Sequence, residues 1–324
     1  MSEPIFTIPP DWEWDPNEQF PHSDNVPFMW HRHDELLEAF ENAGITGEGL
    51  KIGIIDTGYS PHPWLPKPAG VRNFTPSGRG ADDVTARNPH GQHVFGIIGG
   101  LHGIGLLPKA EYYIAKGLGD GGSGSSTGLN RCIRWLADQG CHFINGSYGG
   151  GGGSNDDIDA AEYFYNKGGL LIHFAAGNAG AGRNTIGYPA RHHRCSCNGS
   201  YDRNGDRSNF SSTGPQVDGL GAGGGIVSTM PPTPSQPNRM GTMSGTSMGC
   251  PDFLGKIGGI HQARRAAGFP DIVGYKAWHK EYKRLFDLDL IRDLGPQGRD
   301  NNNGWGRLIT AKIIESINNP SENF

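Results

Sequence analysis

Residues 241–253 read GTMSGTSMGCPDF, a glycine-rich approach to Ser247 that leads into a predicted helix. Ser247 stands at the predicted start of that helix, where the first backbone amides have no helical partner. Pro251 follows four residues later and has no amide, so the Ser247 carbonyl lacks its helical donor and the chain can bend there. A serine in this position can cap a helix or act as a nucleophile, and polar groups elsewhere in the chain must decide between these roles.

Outward from this stretch, short apolar runs alternate with helical patterns from about residue 30 onwards. Such alternation is typical of an α/β fold with a mostly parallel, twisted sheet and helices on both faces. Predicted strands cover 51–56, 110–116, 142–147, 169–176 and 226–229, and predicted helices cover 34–42, 90–100, 129–139, 157–166, 277–286 and 309–317. No internal repeat or linker interrupts this pattern, and we expect one domain over residues 29–324.

Four polar residues stand at predicted strand ends or helix starts, where an open parallel sheet places its chemistry. Asp56 ends a strand in DTG, His90 begins a helix in HGQHVFG, Asn178 follows a strand in AAGN, and Ser247 begins a helix in GTSMGCP. Taken singly, each is also accounted for by a turn, a cap or a packing role. Together they supply an orienting acid, a base, an oxyanion donor and a nucleophile.

These four signatures resemble those of the subtilisin-like serine proteases, and the resemblance covers roughly residues 30–315. It implies a three-layer subtilisin-like fold and a serine endopeptidase that forms an acyl-enzyme on Ser247. Asp56 and His90 would complete the catalytic triad, and Asn178 would donate to the oxyanion. Because His90 opens a helix, whose N-terminus disfavours a cation, we expect its imidazole to be neutral near pH 7.

The resemblance also implies where a peptide would lie. Gly122-Ser123-Gly124 and Ser147-Tyr148-Gly149 would flank an extended peptide or protein substrate and pair with its backbone. The primary specificity pocket would be walled by Gly149-Gly150 and Ala176-Gly177, with Gly187 at its base. Because these walls carry no carboxylate, we expect a roomy apolar pocket that prefers Phe, Tyr, Leu or Met.

Two other functions share these residues. A peptide ligase or macrocyclase would transfer the acyl group to an amine, but the interval from Asp56 to His90 leaves no room for an insertion that shields the intermediate from water. A pseudo-enzyme would bind peptides without cleaving them, but all four catalytic groups are retained. Hydrolysis is therefore the favoured function.

Charge and hydropathy along the chain limit which partners and which cellular location we expect. The net charge is −5 and no Lys/Arg-rich stretch is present, so a nucleic-acid partner is not expected. The amino terminus has no secretory signal pattern and no run is long enough to span a bilayer, so we expect no membrane association and a cytoplasmic location. The sequence does not indicate an oligomeric state.

Cofactors are not required by this chemistry. The stretch between His93 and Pro108 is shorter than in relatives that carry a tight calcium loop, and Asp218 aligns with a position that helps to hold a cation in several of them. A structural calcium ion at Asp218 is therefore an open expectation. Cys195 and Cys197 are too sparse for a zinc site on their own, and we expect reduced thiols.

Two local features have their own expectations. Residues 1–28 are rich in proline, tryptophan and acids, and IFTIPP at 5–10 is similar to the short extension of intracellular subtilisins, so this segment is either self-inhibitory or a simple tail. On the helix from Ser247, Cys250 lies about one turn below the serine and should be a small buried filler. Asp252 lies about 140° around the axis, away from the catalytic face, with no partner evident from the sequence.

Overall fold

The computed structural model describes residues 29–31, 34–76, 80–150 and 152–319. The predicted extension, residues 1–28, lies outside this part of the chain. The helices are α1 Asp34–Asn42, α2 His90–Gly99, α3 Ser126–Asp138, α4 Asn155–Asn166, α5 Thr246–Ala266, α6 Tyr275–Asp287 and α7 Thr310–Asn318. The strands are β1 Lys51–Asp56, β2 Gly70–Asn73, β3 Glu111–Lys116, β4 Phe143–Gly146, β5 Leu171–Ala175, β6 Ser196–Tyr201, β7 Val217–Ala222, β8 Ile226–Thr229, β9 Met240–Met243, β10 Ile291–Arg292 and β11 Arg307–Leu308.

Seven strands form one sheet in the order β2-β3-β1-β4-β5-β6-β7, and every neighbouring pair is parallel. This confirms the predicted α/β class with a parallel sheet. The strand predicted at 226–229 belongs instead to a separate antiparallel ribbon of β8 and β9. The aliphatic run of β1 is buried at five of its six positions, as expected for a central strand covered on both faces.

Successive side chains of β1 point to opposite faces of the sheet, and different helices cover the two faces. Gly53 faces α3, because a Cβ there would lie 2.7 Å from Leu136. Asp56, three residues on, faces the start of α2 instead. Helix α3 packs with α4, whereas α5 packs on α2, α7 and strands β4 to β7. The carboxyl end of β1 is thereby brought against the start of α2 at His90, and α5, which carries Ser247, packs on α2.

Candidate active site

Asp56 is the last residue of β1 and is completely buried. Its Oδ1 accepts hydrogen bonds from the Thr57 amide at 2.7 Å and from the His90 ring Nδ1 at 2.8 Å. A carboxylate in this position fixes the orientation of the imidazole and leaves the other ring nitrogen, Nε2, for chemistry.

His90 opens α2, and the chain around it approaches the end of β1 very closely. A Cβ at Gly91 would lie 2.6 Å from the Gly58 carbonyl oxygen and 3.1 Å from the Asp56 Cβ, so only glycine fits after the histidine. The His90 side chain retains 27% exposure, on the side where a substrate could reach it.

The electrostatics of His90 differ from the sequence-based expectation. Burial opposes the charged ring, but the negative charge of Asp56 and the hydrogen bond to it outweigh burial and raise the pKa of His90 above its usual value. The expectation of a neutral ring considered only the start of α2. At a helix N-terminus the ring meets a partial charge, whereas Asp56 is a full charge at hydrogen-bond distance.

Ser247 is the second residue of α5. Its hydroxyl donates to the Ser147 carbonyl at 3.2 Å, and the Ser147 hydroxyl in turn donates to the Ser247 carbonyl at 2.8 Å. That carbonyl is available because Pro251, four residues on, has no amide. The hydroxyl in this structure therefore points to Ser147, while Ser247 and His90 line the same cavity.

Asn178 follows β5 and faces the start of α5. Its Oδ1 accepts hydrogen bonds from the Thr246 amide at 2.9 Å and the Thr246 hydroxyl at 3.0 Å, and this fixes the orientation of the side-chain amide. The Nδ2 group is then directed towards Gly245, where a Cβ would lie 3.3 Å from it. Two donors, Asn178 Nδ2 and the Ser247 backbone amide, are thus available beside the serine.

His90, Asn178 and Ser247 line a single cavity of about 350 Å³. The methionines Met230, Met243 and Met248 also line it, together with Gly241, Thr242 and Ser244. The three predicted groups that would touch a substrate therefore meet at one place, and Asp56 lies directly behind His90. The methionines were not anticipated from the sequence, where their positions follow no periodic pattern.

The predicted substrate-binding residues occupy neighbouring segments. One pocket of about 230 Å³ is lined by Leu129, Asp157 and Tyr188 together with six of those residues, Gly122, Ser123, Gly124, Tyr148, Gly149 and Gly150. Asp157 is a carboxylate that sequence reasoning missed, because only the fold brings α4 to this pocket. It accepts hydrogen bonds from Asn130 Nδ2 at 2.8 Å and the Ser154 amide at 2.6 Å.

The remaining predicted residues lie between that pocket and the serine. Gly150 and Tyr188 exchange two backbone hydrogen bonds, of 2.7 and 2.8 Å. The next residue back, Gly187, donates to the Ala176 carbonyl at 3.3 Å. The Gly177 amide donates to the Thr246 hydroxyl at 3.1 Å, next to Ser247. The predicted pocket walls are therefore adjacent to each other and to the start of α5.

The two neighbours of Ser247 on α5 have defined partners. Cys250 is fully buried, as predicted, and all five cysteines are unpaired and buried. Asp252 points away from the cavity; its Oδ2 accepts from Lys256 Nζ at 2.7 Å and from the Ala222 amide of β7 at 2.8 Å. Lys256 is four residues along the same helix, a spacing that could have indicated this ion pair from the sequence.

Asp218, the predicted cation ligand, is surrounded by hydrogen-bond donors. Its Oδ2 accepts from the Cys197 amide at 3.0 Å, its Oδ1 accepts from the Tyr275 hydroxyl at 3.3 Å, and His279 Nδ1 lies 3.5 Å away. Calcium requires a shell of oxygen ligands, which these donors do not provide, so the residues around Asp218 do not fit the ion. Within the described ranges, no group of three or more His, Cys, Asp or Glu side chains is placed to hold a metal.

Comparison with known proteins identifies the relatives of this chain. The Subtilase family model matches residues 47–306. Subtilisin Savinase of Lederbergia lenta is 34% identical over 228 residues, which are 69% of this chain and 80% of that protein. An alkaline protease of Alkalihalobacillus alcalophilus is also 34% identical over 228 residues, 69% of this chain, but the match spans only 57% of its length.

Solved structures agree on the fold. A protease from Pseudoalteromonas arctica superposes with a TM-score of 0.73 at 22% identity, over 90% of this chain and 97% of its own. A lanthipeptide protease superposes with a TM-score of 0.74 at 18% identity, over 90% and 96%.

The comparisons correct the expected location. The matched subtilisins and alkaline proteases are secreted, extracellular enzymes, so the prediction of a cytoplasmic location is wrong. That prediction relied only on the absence of a signal pattern near residue 1. Separately, none of the helices within residues 34–319 that the structure describes is long and apolar enough to cross a bilayer.

Three observations lead to one conclusion: His90, Asn178 and Ser247 line one cavity, Asp56 is hydrogen-bonded to His90, and the family model matches residues 47–306. The chain belongs to the subtilase family and is a subtilisin-like serine protease.

Proposed function

We propose that this protein is an endopeptidase in which Ser247 is the nucleophile, His90 the general base and acid, Asp56 the orienting carboxylate and Asn178 an oxyanion donor. The observation that carries the proposal is the shared cavity of His90, Asn178 and Ser247, with Asp56 2.8 Å behind the base. In a subtilase, peptides and proteins are the substrates.

The reaction follows from these positions. Ser247 Oγ attacks the carbonyl carbon of the scissile bond while its proton passes to His90 Nε2. The negative charge that develops on the carbonyl oxygen is stabilised by Asn178 Nδ2 and the Ser247 amide. His90 then protonates the leaving amine, and the peptide bond breaks to give an acyl-enzyme. A water molecule, deprotonated by His90, attacks the ester, and the acid product leaves with Ser247 restored.

For these reaction steps the Ser247 hydroxyl must leave the Ser147 carbonyl and turn to His90. In the structure it is bound to the Ser147 carbonyl at 3.2 Å, and catalytic hydrogen bonds are often loose before substrate binds. The raised pKa of His90 gives a stronger base once the ring is neutral, and the cost is that more of the enzyme is protonated at moderately acidic pH.

The substrate is proposed to bind in an extended conformation between residues 122–124 and 147–149. In support, Gly122, Ser123 and Gly124 line one pocket with Tyr148 and Gly149. For the residue before the scissile bond we propose a preference for Phe, Tyr, Leu or Met, because the walls near Ala176, Gly177 and Gly187 are small and uncharged. The Asp157 carboxylate nearby is already hydrogen-bonded by Asn130 and Ser154. A strict preference for Arg or Lys in a peptide library would contradict this.

We propose that neither a cofactor, nor nucleic acid, nor a membrane takes part in the reaction. The proposed roles are filled by protein groups, and the donors around Asp218 do not fit calcium. Activity should accordingly persist in EDTA.

A fluorophosphonate probe and intact-mass analysis test the proposal against both alternatives. The wild type should gain one probe adduct and Ser247→Ala should gain none, whereas a pseudo-enzyme would not react at all. With a peptide substrate and an added amine, hydrolysis gives the free acid as the main product. A predominant amide product would indicate a ligase instead.

A further inference from the structure

Four residues outside the catalytic groups are joined in a closed ring of hydrogen bonds. Lys116 Nζ donates to the Thr57 carbonyl, and the Thr57 hydroxyl donates to the Asn88 carbonyl at 3.0 Å. Asn88 Nδ2 donates to the Asp120 carbonyl at 3.3 Å, and Asp120 Oδ1 accepts from Lys116 Nζ at 3.2 Å. The ring links the ends of β1 and β3, the residue pair before α2, and the loop that leads to Gly122.

Two members of the ring hold the acid and the base. The Thr57 amide donates to Asp56 Oδ1 at 2.7 Å, and the Thr57 hydroxyl accepts from the Gly91 amide at 2.9 Å. Asn88 Oδ1 accepts from the His90 amide at 3.0 Å. The end of β1 and the start of α2 are therefore connected through Thr57 and Asn88 as well as through the Asp56–His90 bond itself.

The other side of the ring supports the proposed substrate loop. Asp120 lies two residues before Gly122, and the Gly122 amide closes a turn on the Gly119 carbonyl at 2.9 Å. Asn88 Nδ2 lies 3.6 Å from where a Cβ of Gly122 would stand. A displacement of this loop would thus shift Asn88. Because Asn88 Oδ1 accepts from the His90 amide, it would also shift the backbone of His90.

The presence of a lysine here requires an explanation, because Lys116 is fully buried. An apolar side chain of similar length would fill the space without the cost of removing an ammonium group from water. The cation is satisfied instead by two carbonyls, of Thr57 and, at 3.4 Å, of Thr85, and by the carboxylate of Asp120. All three acceptors belong to segments that surround the Asp56–His90 pair.

We infer that Lys116, Thr57, Asn88 and Asp120 are positioning residues, which together fix the Asp56–His90 pair relative to the loop at residues 122–124. The inference rests on the proposed peptidase function. A ring that acts as one unit loses most of its effect at the first break, so damage at two separate points should not multiply.

Two pairs of variants open the ring at opposite sides. Thr57→Val removes the hydroxyl at constant shape, and Thr57→Ser restores it. Asp120→Ala removes the carboxylate, which is about one-third exposed, and Asp120→Asn keeps an acceptor for Lys116. We expect kcat to fall about tenfold in Thr57→Val and several-fold in Asp120→Ala, a size typical of slight misplacement of a catalytic group. Thr57→Ser and Asp120→Asn should recover most of this loss.

The double variant Thr57→Val/Asp120→Ala is the decisive measurement. Under the inference its kcat is close to that of Thr57→Val alone; a loss equal to the product of the two single losses would overturn the ring as a unit. Thr310→Val, at a buried threonine that begins α7, and Asp287→Ala, at an exposed i,i+4 lysine–aspartate pair on α6, are matched controls and should leave kcat unchanged.

The outcomes separate this inference from the proposed function. If the wild type neither labels at Ser247 nor hydrolyses peptides, the proposed function fails. If the wild type hydrolyses peptides and both ring variants keep its kcat, only the inference fails. A kcat loss that Thr57→Ser does not rescue, with a lower melting temperature, would mean a packing role and would also overturn it. Should Thr57→Val not fold, Asp120→Ala and Asp120→Asn decide the question.

Discussion

Ser147 and Ser247 exchange two hydrogen bonds, each hydroxyl donating to the carbonyl of the other residue at 2.8 and 3.2 Å. The exchange depends on Pro251, which leaves the Ser247 carbonyl without a helical donor. The Ser147 hydroxyl also accepts from Asn145 Nδ2 at 2.9 Å, so the end of β4 is tied to the first turn of α5.

Ser147→Ala should therefore disturb the nucleophile although it lies 100 positions away in sequence. We expect a loss of about 1 kcal/mol in unfolding free energy, because the partly buried hydrogen bond to the Ser247 carbonyl is lost. In a Pro251→Ala background that carbonyl can accept from the new residue 251 amide, and the same substitution should cost less. Denaturant unfolding of the four proteins checks this, and an equal cost in both backgrounds would contradict it.

Asn178→Ala should lower kcat about 10²- to 10³-fold with little change in KM, because its Nδ2 would act on the oxyanion and not on the ground-state carbonyl. Thr246→Val should give a smaller loss, since it removes one of the two hydrogen bonds that orient the Asn178 side chain and leaves the bond from the Thr246 amide in place. Steady-state kinetics on one peptide substrate distinguish the two. A rise in KM at constant kcat in Asn178→Ala would indicate a ground-state binding role instead.

The pH profile of kcat/KM should report the raised pKa of His90. Burial opposes protonation, but Asp56 favours it more strongly, so the ring loses its proton above pH 6.5. Because only the neutral ring can accept the Ser247 proton, activity should increase with pH and reach half its plateau above pH 6.5. In Asp56→Asn the acid limb should move to lower pH while kcat falls about 10⁴-fold. An acid limb in the same place for both proteins would contradict this assignment.

Three buried histidines should make the fold sensitive to acid. Burial lowers the pKa of His93 and His173 to about 3 and that of His261 to about 4. The unfolded chain takes up these protons near pH 6.5 and the native state does not, so their contribution is complete above pH 6.5 and is lost as pH falls towards 3–4. Each should add about 1.4 kcal/mol per pH unit to the slope of stability within that window.

His173→Gln should reduce that slope by one proton, measured by denaturant unfolding between pH 4 and 6.5. An identical slope in wild type and His173→Gln would show that this ring is protonated in the native state.

The buried pair on α5 should be sensitive to loss of one partner. Asp252 and Lys256 are 2.7 Å apart and both are almost fully buried. Lys256→Met should cost about 3–5 kcal/mol, because the Asp252 carboxylate would remain buried without its cation. Lys256→Met/Asp252→Leu should recover part of the stability, since no charge is then buried. A double variant less stable than Lys256→Met would contradict this account.

The sequence predicted those parts of the fold whose pattern is local. Strands β1, β3, β4 and β5 lie in largely apolar runs, and each was placed to within two residues. Strands β6 and β7 were missed because their buried positions hold serine, asparagine and glycine. Those polar groups are satisfied by partners such as Ser208, which bonds the Ser200 hydroxyl at 2.8 Å, and Asp218, which bonds the Cys197 amide. Such partners are not visible to a local pattern.

The same distinction applies to the site. Motifs around Asp56, His90, Asn178 and Ser247 were sufficient to single out the residues that the fold brings together. The groups that hold them, Thr57, Asn88, Thr246 and Ser147, act through contacts between distant segments. The raised pKa of His90 was not foreseen for the same reason, since it depends on the short distance to Asp56, which only the folded chain defines.

The packing of α5 also determines at what stage of folding the chain can become proteolytically active. This helix carries Ser247 and rests on β4, β5, β6 and β7, so it cannot dock before those four strands have assembled. Asp56 and His90 belong to the first third of the chain and the serine to the last. Contacts of such long sequence separation form slowly. The newly synthesised chain should thus cleave no other protein until folding is nearly complete, because its catalytic residues are among the last parts of the chain to come together.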